Sequence, residues 1–201
     1  MAEERQCDMI LMDASPLIYL AKADCLELML NFAKRVYVSD EVYFECAGRW
    51  FDPYVGNGEP PSDAIRIAEF VHANSEKIII KDTQLGSQLK KDRLAGGKVE
   101  IQNAGEMSAR SLFDRRREIS GGRSPVLVIF EDTEVPLRFA GSDVHLISTF
   151  ALLLAMEIAG YINSAQEIFD LIPAGFQPSN IPIDESVIGG TTYSDLLPPR
   201  G

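Results

Sequence analysis

The chain has little that could hold a soft metal or a covalent framework. It carries 3 cysteines and 2 histidines in 201 residues. Cys7, Cys25 and Cys46 form no CxxC pair, which excludes a zinc ribbon and a disulfide scaffold. Their odd number and scatter fit reduced thiols. His72 and His145 are too few for a zinc site without sulfur ligands. Long apolar runs are missing as well. The most apolar stretch, Leu146 to Met156, is too short to span a bilayer and is followed by Glu157. Positive charge is scarce: 19 Lys and Arg stand against 30 Asp and Glu, a net charge of -11 and a pI near 4.6. Such a chain repels phosphate at long range. It is therefore no general nucleic-acid coat, and any nucleic-acid contact needs a local cation or basic patch. The charged opening Met1-Ala2-Glu3-Glu4-Arg5 does not read as a signal peptide. The expected location is the cytoplasm, with no membrane partner.

What the chain does have is apolar content, 46% of its residues, enough for a packed core. Met9 to Met12 is a short apolar run without alternation, which suits a strand buried on both faces. Asp13 follows it directly. Ser15 and Pro16 then read as a cap and first residue of a helix. Further helices are expected over Asp24–Phe32, Asp40–Ala47 after a Ser39 cap, and Ser62–Ala73 with Ile65, Ile67, Ala68 and Val71 inward. Others are expected over Thr83–Leu94, Asn103–Glu118, Glu134–Ala140, Thr149–Ala159 and Ser164–Leu171. Strands are expected at Val36–Val38, Lys77–Lys81, Pro125–Phe130 and Val144–Ile147. Arg49 to Pro61 reads as a loop displaying Trp50, Phe51 and Tyr54. Strands alternating with helices predict an α/β protein with a mainly parallel central sheet, helices covering both faces. The predicted domain spans residues 1–172, with an extended tail over 173–201.

Carboxylates gather at the predicted strand ends. Asp13 follows the first strand, and Glu131-Asp132 follow Phe130. Parallel strands put both ends on one edge, where open α/β sheets bind ligands. Glu45 and Glu106, on helices, can reach the same edge. Two carboxylates ~4 Å apart repel by roughly 4 kcal/mol at an effective dielectric of about 20. A divalent cation removes that cost, and oxygen-only ligands select Mg²⁺ or Mn²⁺. Each acid also has a plainer alternative. Asp13 and Asp132 can serve their helix ends, Glu45 can be a solvated helix acid, and Glu106 can pair with Asn103 in a variant capping box.

In the order and spacing of its motifs the chain resembles the PIN-domain family, and in particular its toxin-like branch. The blocks are Met12-Asp13-Ala14-Ser15-Pro16-Leu17-Ile18-Tyr19-Leu20-Ala21, Val42-Tyr43-Phe44-Glu45-Cys46, Gly105-Glu106-Met107-Ser108-Ala109 and Phe130-Glu131-Asp132. Ile147-Ser148-Thr149-Phe150-Ala151-Leu152-Leu153-Leu154-Ala155 and Ala159-Gly160-Tyr161-Ile162 complete the set. The resemblance implies a three-layer α/β/α sandwich. It implies four acids, Asp13, Glu45, Glu106 and Asp132, with Asp13, Glu106 and Asp132 holding Mg²⁺ or Mn²⁺. Ser15, Glu131 and Thr149 are implied as supporting groups. The implied activity is that of a metal-dependent endoribonuclease acting on RNA, the toxin of a toxin–antitoxin pair. The implied partners are an RNA substrate, a small antitoxin protein and a second copy of the chain.

Three departures from the family pattern stand out. Val135-Pro136-Leu137 intervenes before Arg138, where an arginine usually comes sooner. Ser148 replaces a common glycine, and Glu157 stands where a basic residue is frequent. The departures weaken the case for an ordinary RNA groove; Glu157 and the net acidity favour the alternative, a PIN-like binding module without efficient cleavage, and the complete acid set opposes it. Arg115-Arg116-Arg117 and Lys90-Lys91 are the remaining phosphate-contact candidates. A phosphatase using Asp13 as nucleophile is disfavoured, because its signature places a second Asp where Ser15 stands.

Overall fold

Five short strands form one sheet among the described residues, which are 9–31, 35–56, 58–97, 101–119, 121, 126–131 and 144–173 of the computed structural model. They are β1 (Met9–Met12), β2 (Val36–Ser39), β3 (Ile78–Lys81), β4 (Val126–Ile129) and β5 (Val144–Ile147). Their order is β3-β2-β1-β4-β5, and each pairing is parallel. Every residue of β1, β2 and β4 is buried, which is what unalternating apolar runs require. Helices flank the sheet in a three-layer α/β/α sandwich, as expected. From β1 the chain winds outward through β2 to β3, then returns to the other side of β1 for β4 and β5. The reversal lies between β1 and β4, registered by Leu11 with Val128 and Met12 with Ile129. This is the topological switch point, whose carboxyl edge is the usual place for a ligand crevice.

The helices are α1 (Ala14–Lys22), α2 (Asp40–Tyr43), α3 (Arg49–Phe51), α4 (Ser62–Ala73), α5 (Gln84–Leu94), α6 (Ala104–Asp114), α7 (Arg116–Ile119), α8 (Thr149–Ile158) and α9 (Ala165–Asp170). A π turn, Phe44–Gly48, joins α2 to α3, so one helical run continues to Phe51 where the sequence suggested a loop from Arg49. A 3₁₀ helix, Leu26–Asn31, replaces the expected α-helix, and Leu26 and Met29 face inward. Leu17, Leu20, Met29, Ile67, Leu112, Phe113, Phe130 and Leu152 are among the fully buried core.

Several caps differ from expectation. Helix α1 starts at Ala14, so Asp13 is its N-cap residue and Ser15 lies inside the first turn. Pro16 is tolerated there because the first-turn N–H groups have no intrahelical partner. Pro61, not Ser62, precedes α4, whose buried face is Ala64, Ile67 and Phe70, while Ile65 is exposed. The Ser39, Thr83 and Ser164 caps form as expected, accepting from the N–H groups of Val42, Gly86 and Glu167. Gly160 takes a φ of 76°, and the N–H of Tyr161 reaches the Met156 carbonyl at 2.9 Å, closing α8. Cys7, Phe32, Asp132, the expected helix over 134–140 and the tail beyond Pro173 lie outside the described residues. No helix among the described residues is long and apolar enough to cross a membrane.

His145, on β5, is only 6% exposed, and its Nδ1 has no hydrogen-bond partner. Burial holds its pKa below the ordinary value of 6.5. The folded state therefore favours the neutral ring. The associated stability is present above the unfolded pKa and is lost as pH falls through the lowered folded one. His145→Leu should match the parent within about 1 kcal/mol at neutral pH, since a buried unsatisfied nitrogen disappears with the ring. Its advantage should grow on going from about pH 7.5 to about pH 5.5 in urea melts. A constant difference across that range would show that the ring does not titrate against burial.

Candidate active site

Asp13 leaves β1 at the switch point. Its N–H donates to the carbonyl of Ile129 at 3.2 Å, which ties the ends of β1 and β4 together. It occupies the N-cap position of α1 in an extended conformation, yet its side chain makes no capping hydrogen bond. Capping is thus not what its carboxylate does here. Leu11, Met12 and Asp13 from β1, Val128 and Phe130 from β4, and Glu106 and Ala109 from α6 line one crevice. Its volume is about 10 Å³, space for roughly one water-sized group.

Glu106 reaches this crevice from the first turn of α6, where an acid is favoured by the helix dipole. The proposed Asn103 capping box is not formed from the asparagine side. Asn103 adopts a left-handed φ of 61° and its side chain makes no capping bond.

Glu45 sits in the π turn, and its Oε1 accepts the N–H of Gly105 at 2.9 Å. The residue as a whole is exposed, but its carboxylate is desolvated where it meets α6. Burial raises its pKa, the Gly105 hydrogen bond opposes this, and the charges of Asp13 and Glu41 raise it further while Arg49 lowers it. A Cβ at position 105 would overlap the Glu45 carboxylate. Because that carboxylate ends a flexible chain, a side chain at 105 would displace Glu45 rather than break the fold. Sequence reasoning missed Gly105. The available signal was a glycine in the first turn of a helix, a place where it costs stability relative to alanine.

Glu131 is 8% exposed, and its Oε1 accepts the N–H of Thr149 at 2.7 Å. Ser148 Oγ accepts the N–H of Ala151 at 3.1 Å, so two side chains cap α8. Thr149 is fully buried, and its Oγ1 has no hydrogen-bond partner. The Tyr19 hydroxyl has its pKa raised by burial and then by the charges of Glu131 and Asp13. Cys46 Sγ donates to the carbonyl of Ala14 at 3.5 Å. Burial, with Asp13 and Glu45 adding to it, drives that thiol well above its ordinary pKa, which makes it a poor nucleophile.

The fold therefore brings Asp13 and Glu106 to one crevice, sets Glu45 against the residue preceding Glu106, and ties Glu131 to the start of α8. Ser15 is partly exposed on α1. Asp132 lies outside the described residues. Among the described residues, no three His, Cys, Asp or Glu side chains form a group that could hold a metal ion. The oxygen-only pair at the crevice suits a hard cation such as Mg²⁺ or Mn²⁺, completed by a further acid or by water. Glu157, unusual against the family pattern, acts on the chain close by, where its Oε2 accepts the N–H of Ala165 at 2.7 Å at the start of α9. Arg115 is paired with Glu118 at 2.9 Å, and Arg116 donates to the Phe113 carbonyl at 3.1 Å.

A family model described as PIN domain matches residues 9–118, more than half of the chain. The matched stretch contains Asp13, Glu45 and Glu106. Neither the curated proteins nor the solved structures contain a match.

Proposed function

The chain belongs to the PIN-domain family, a nuclease-type fold that usually employs divalent metals, and from this premise we propose that it is a Mg²⁺- or Mn²⁺-dependent endoribonuclease. The observation that carries the reading is the meeting of Asp13 and Glu106, from distant parts of the chain, in one small crevice at the switch point. On this reading Asp13 and Glu106 hold the cation together with Asp132. A bound cation would supply an activated water and charge stabilisation at the phosphate. Glu45 stands beside the crevice, where its carboxylate would assist the acids that hold the cation. The Gly105 N–H fixes the direction of its carboxylate. Glu131 keeps the start of α8 against the end of β4.

The finer assignment, toxin of a toxin–antitoxin pair, rests on the sequence resemblance. The alternative, a binding module that retains the acids without efficient cleavage, is supported by the net charge of -11 and by Glu157. Incubation of the full chain with single-stranded RNA, in Mn²⁺ and in a chelator, separates the two. The nuclease reading expects internal cleavage that requires the metal; RNA left intact under both conditions contradicts it.

A further inference from the structure

Asp13 and Glu106, which stand among apolar residues at the crevice in a chain of net charge -11, repel the phosphodiester it is proposed to cut. A cation close to the crevice mouth is needed to hold the substrate. Of the basic runs, Lys90-Lys91 lies on α5, which follows the edge strand β3, and Arg115 and Arg116 are engaged locally with Glu118 and the Phe113 carbonyl. Arg110 is paired with Asp114, Arg93 is buried against Glu41, and Arg66 donates to the Ala21 carbonyl. Arg35 precedes β2, at the opposite edge of the sheet from the crevice.

Arg49 is different. It is exposed, and among the described residues it makes no hydrogen bond or ion pair. It follows Glu45 by one turn, and that turn is the π turn Phe44–Gly48. The wide i→i+5 winding of a π turn sets residue i+4 almost beneath residue i, so Arg49 shares the face of Glu45. The influence of its charge on Glu45 agrees with that placement. Glu45 in turn touches Gly105, the neighbour of the crevice residue Glu106. The Arg49 guanidinium lies 5.6 Å from the ring centroid of Trp50, which packs on the core. An exposed arginine steadied by an aromatic face keeps its fork free for an anion at a reduced entropy cost.

We infer that Arg49 is the phosphate anchor of this site, gripping the RNA backbone beside the acidic crevice. The inference rests on the endoribonuclease reading and deepens it. Arg49 binds substrate; it does not hold the metal.

The test combines cleavage by the parent background with binding in an Asp13→Asn background, using one fluorescein-labelled single-stranded RNA of mixed sequence. Arg49→Ala should raise KM about fivefold, the effect of one exposed charge-assisted contact, with kcat within about twofold. Its anisotropy-derived binding should lose about 0.7 from the slope of log K against log salt, the loss of one single-strand phosphate contact. Arg49→Lys should restore the slope and most of the affinity. The Mn²⁺-dependent rise in melting temperature, measured with Asp13 present, should be unchanged. Arg115→Ala, whose side chain is already paired, should behave like its background. Parent-like KM, affinity and slope in Arg49→Ala overturn the inference alone, as does an equal loss in Arg115→Ala, which would mean diffuse charge. If RNA is bound but not cleaved, the nuclease reading falls and the binding slope still decides Arg49. If RNA is neither bound nor cleaved, both fall.

Discussion

Arg93→Met should lower the melting temperature far more than its place near the end of an outer helix suggests. Its neighbours Lys90 and Lys91 are exposed on α5, but Arg93 turns inward, with its side chain 11% exposed. It donates to both carboxylate oxygens of Glu41, at 2.7 and 3.0 Å, and its guanidinium lies 3.7 Å from the Phe44 ring centroid. The Glu41 side chain is only 4% exposed. Removing the arginine leaves that carboxylate buried without its counter-ion, which costs about 3–5 kcal/mol. For a chain of this size the melting temperature should then fall by roughly 6–20 °C. Replacing both residues, Glu41→Leu with Arg93→Met, should recover most of the loss, because no orphaned charge remains. Calorimetry on the two single variants and the double variant closes the cycle. A loss below about 1 kcal/mol for Arg93→Met would mean that water reaches the pair.

Asp13→Asn should remove activity without removing the fold. The substitution keeps the shape and takes away one charge at the crevice. No capping bond is lost, since the Asp13 side chain makes none in α1. Relief of carboxylate repulsion should leave the metal-free variant at least as stable as the parent. Cleavage of single-stranded RNA should fall on the order of 10³-fold if the carboxylate positions the cation. In the parent, Mn²⁺ at about 100 times its Kd should stabilise the fold by about 2.7 kcal/mol, roughly 5–11 °C. The variant should show less than about a third of that rise. A variant destabilised without metal, yet equally responsive to it, would instead give Asp13 a purely helix-end role.

Much of the architecture was legible because burial on both faces leaves a plain mark: Met9–Met12 and Val126–Ile129 are unbroken apolar runs, and Val144–Ile147 departs from one only at His145. Asp13 and Glu106 were legible for a related reason. One is the first polar residue after a buried strand, and the other lies in the first turn of a helix. Helix starts were read less well. Ser15 and Ser62 have the composition of caps, but the path of the incoming chain, extended at Asp13 and at Pro61, decides which residue takes that place. Contacts between elements left no local mark at all. Glu41 and Arg93 are 52 positions apart, and Glu45 and Gly105 are 60 apart. Nothing local therefore sets Arg93 apart from Lys90 and Lys91 on α5, and the glycine in the first turn of α6 does not by itself name Glu45 as the group that meets it. The π turn was equally hidden, since nothing in Phe44-Glu45-Cys46-Ala47-Gly48 distinguishes it from an ordinary helical turn.

The central claim is that the Asp13–Glu106 crevice is a divalent-cation site. Crystals of the full chain soaked in Mn²⁺ and measured for anomalous scattering test it most directly. The account predicts an anomalous peak in the crevice, within coordinating distance of carboxylate oxygens of both Asp13 and Glu106, and its absence from Asp13→Asn crystals treated alike. A crevice without anomalous density in the parent, or a peak that persists unchanged in Asp13→Asn, would contradict it.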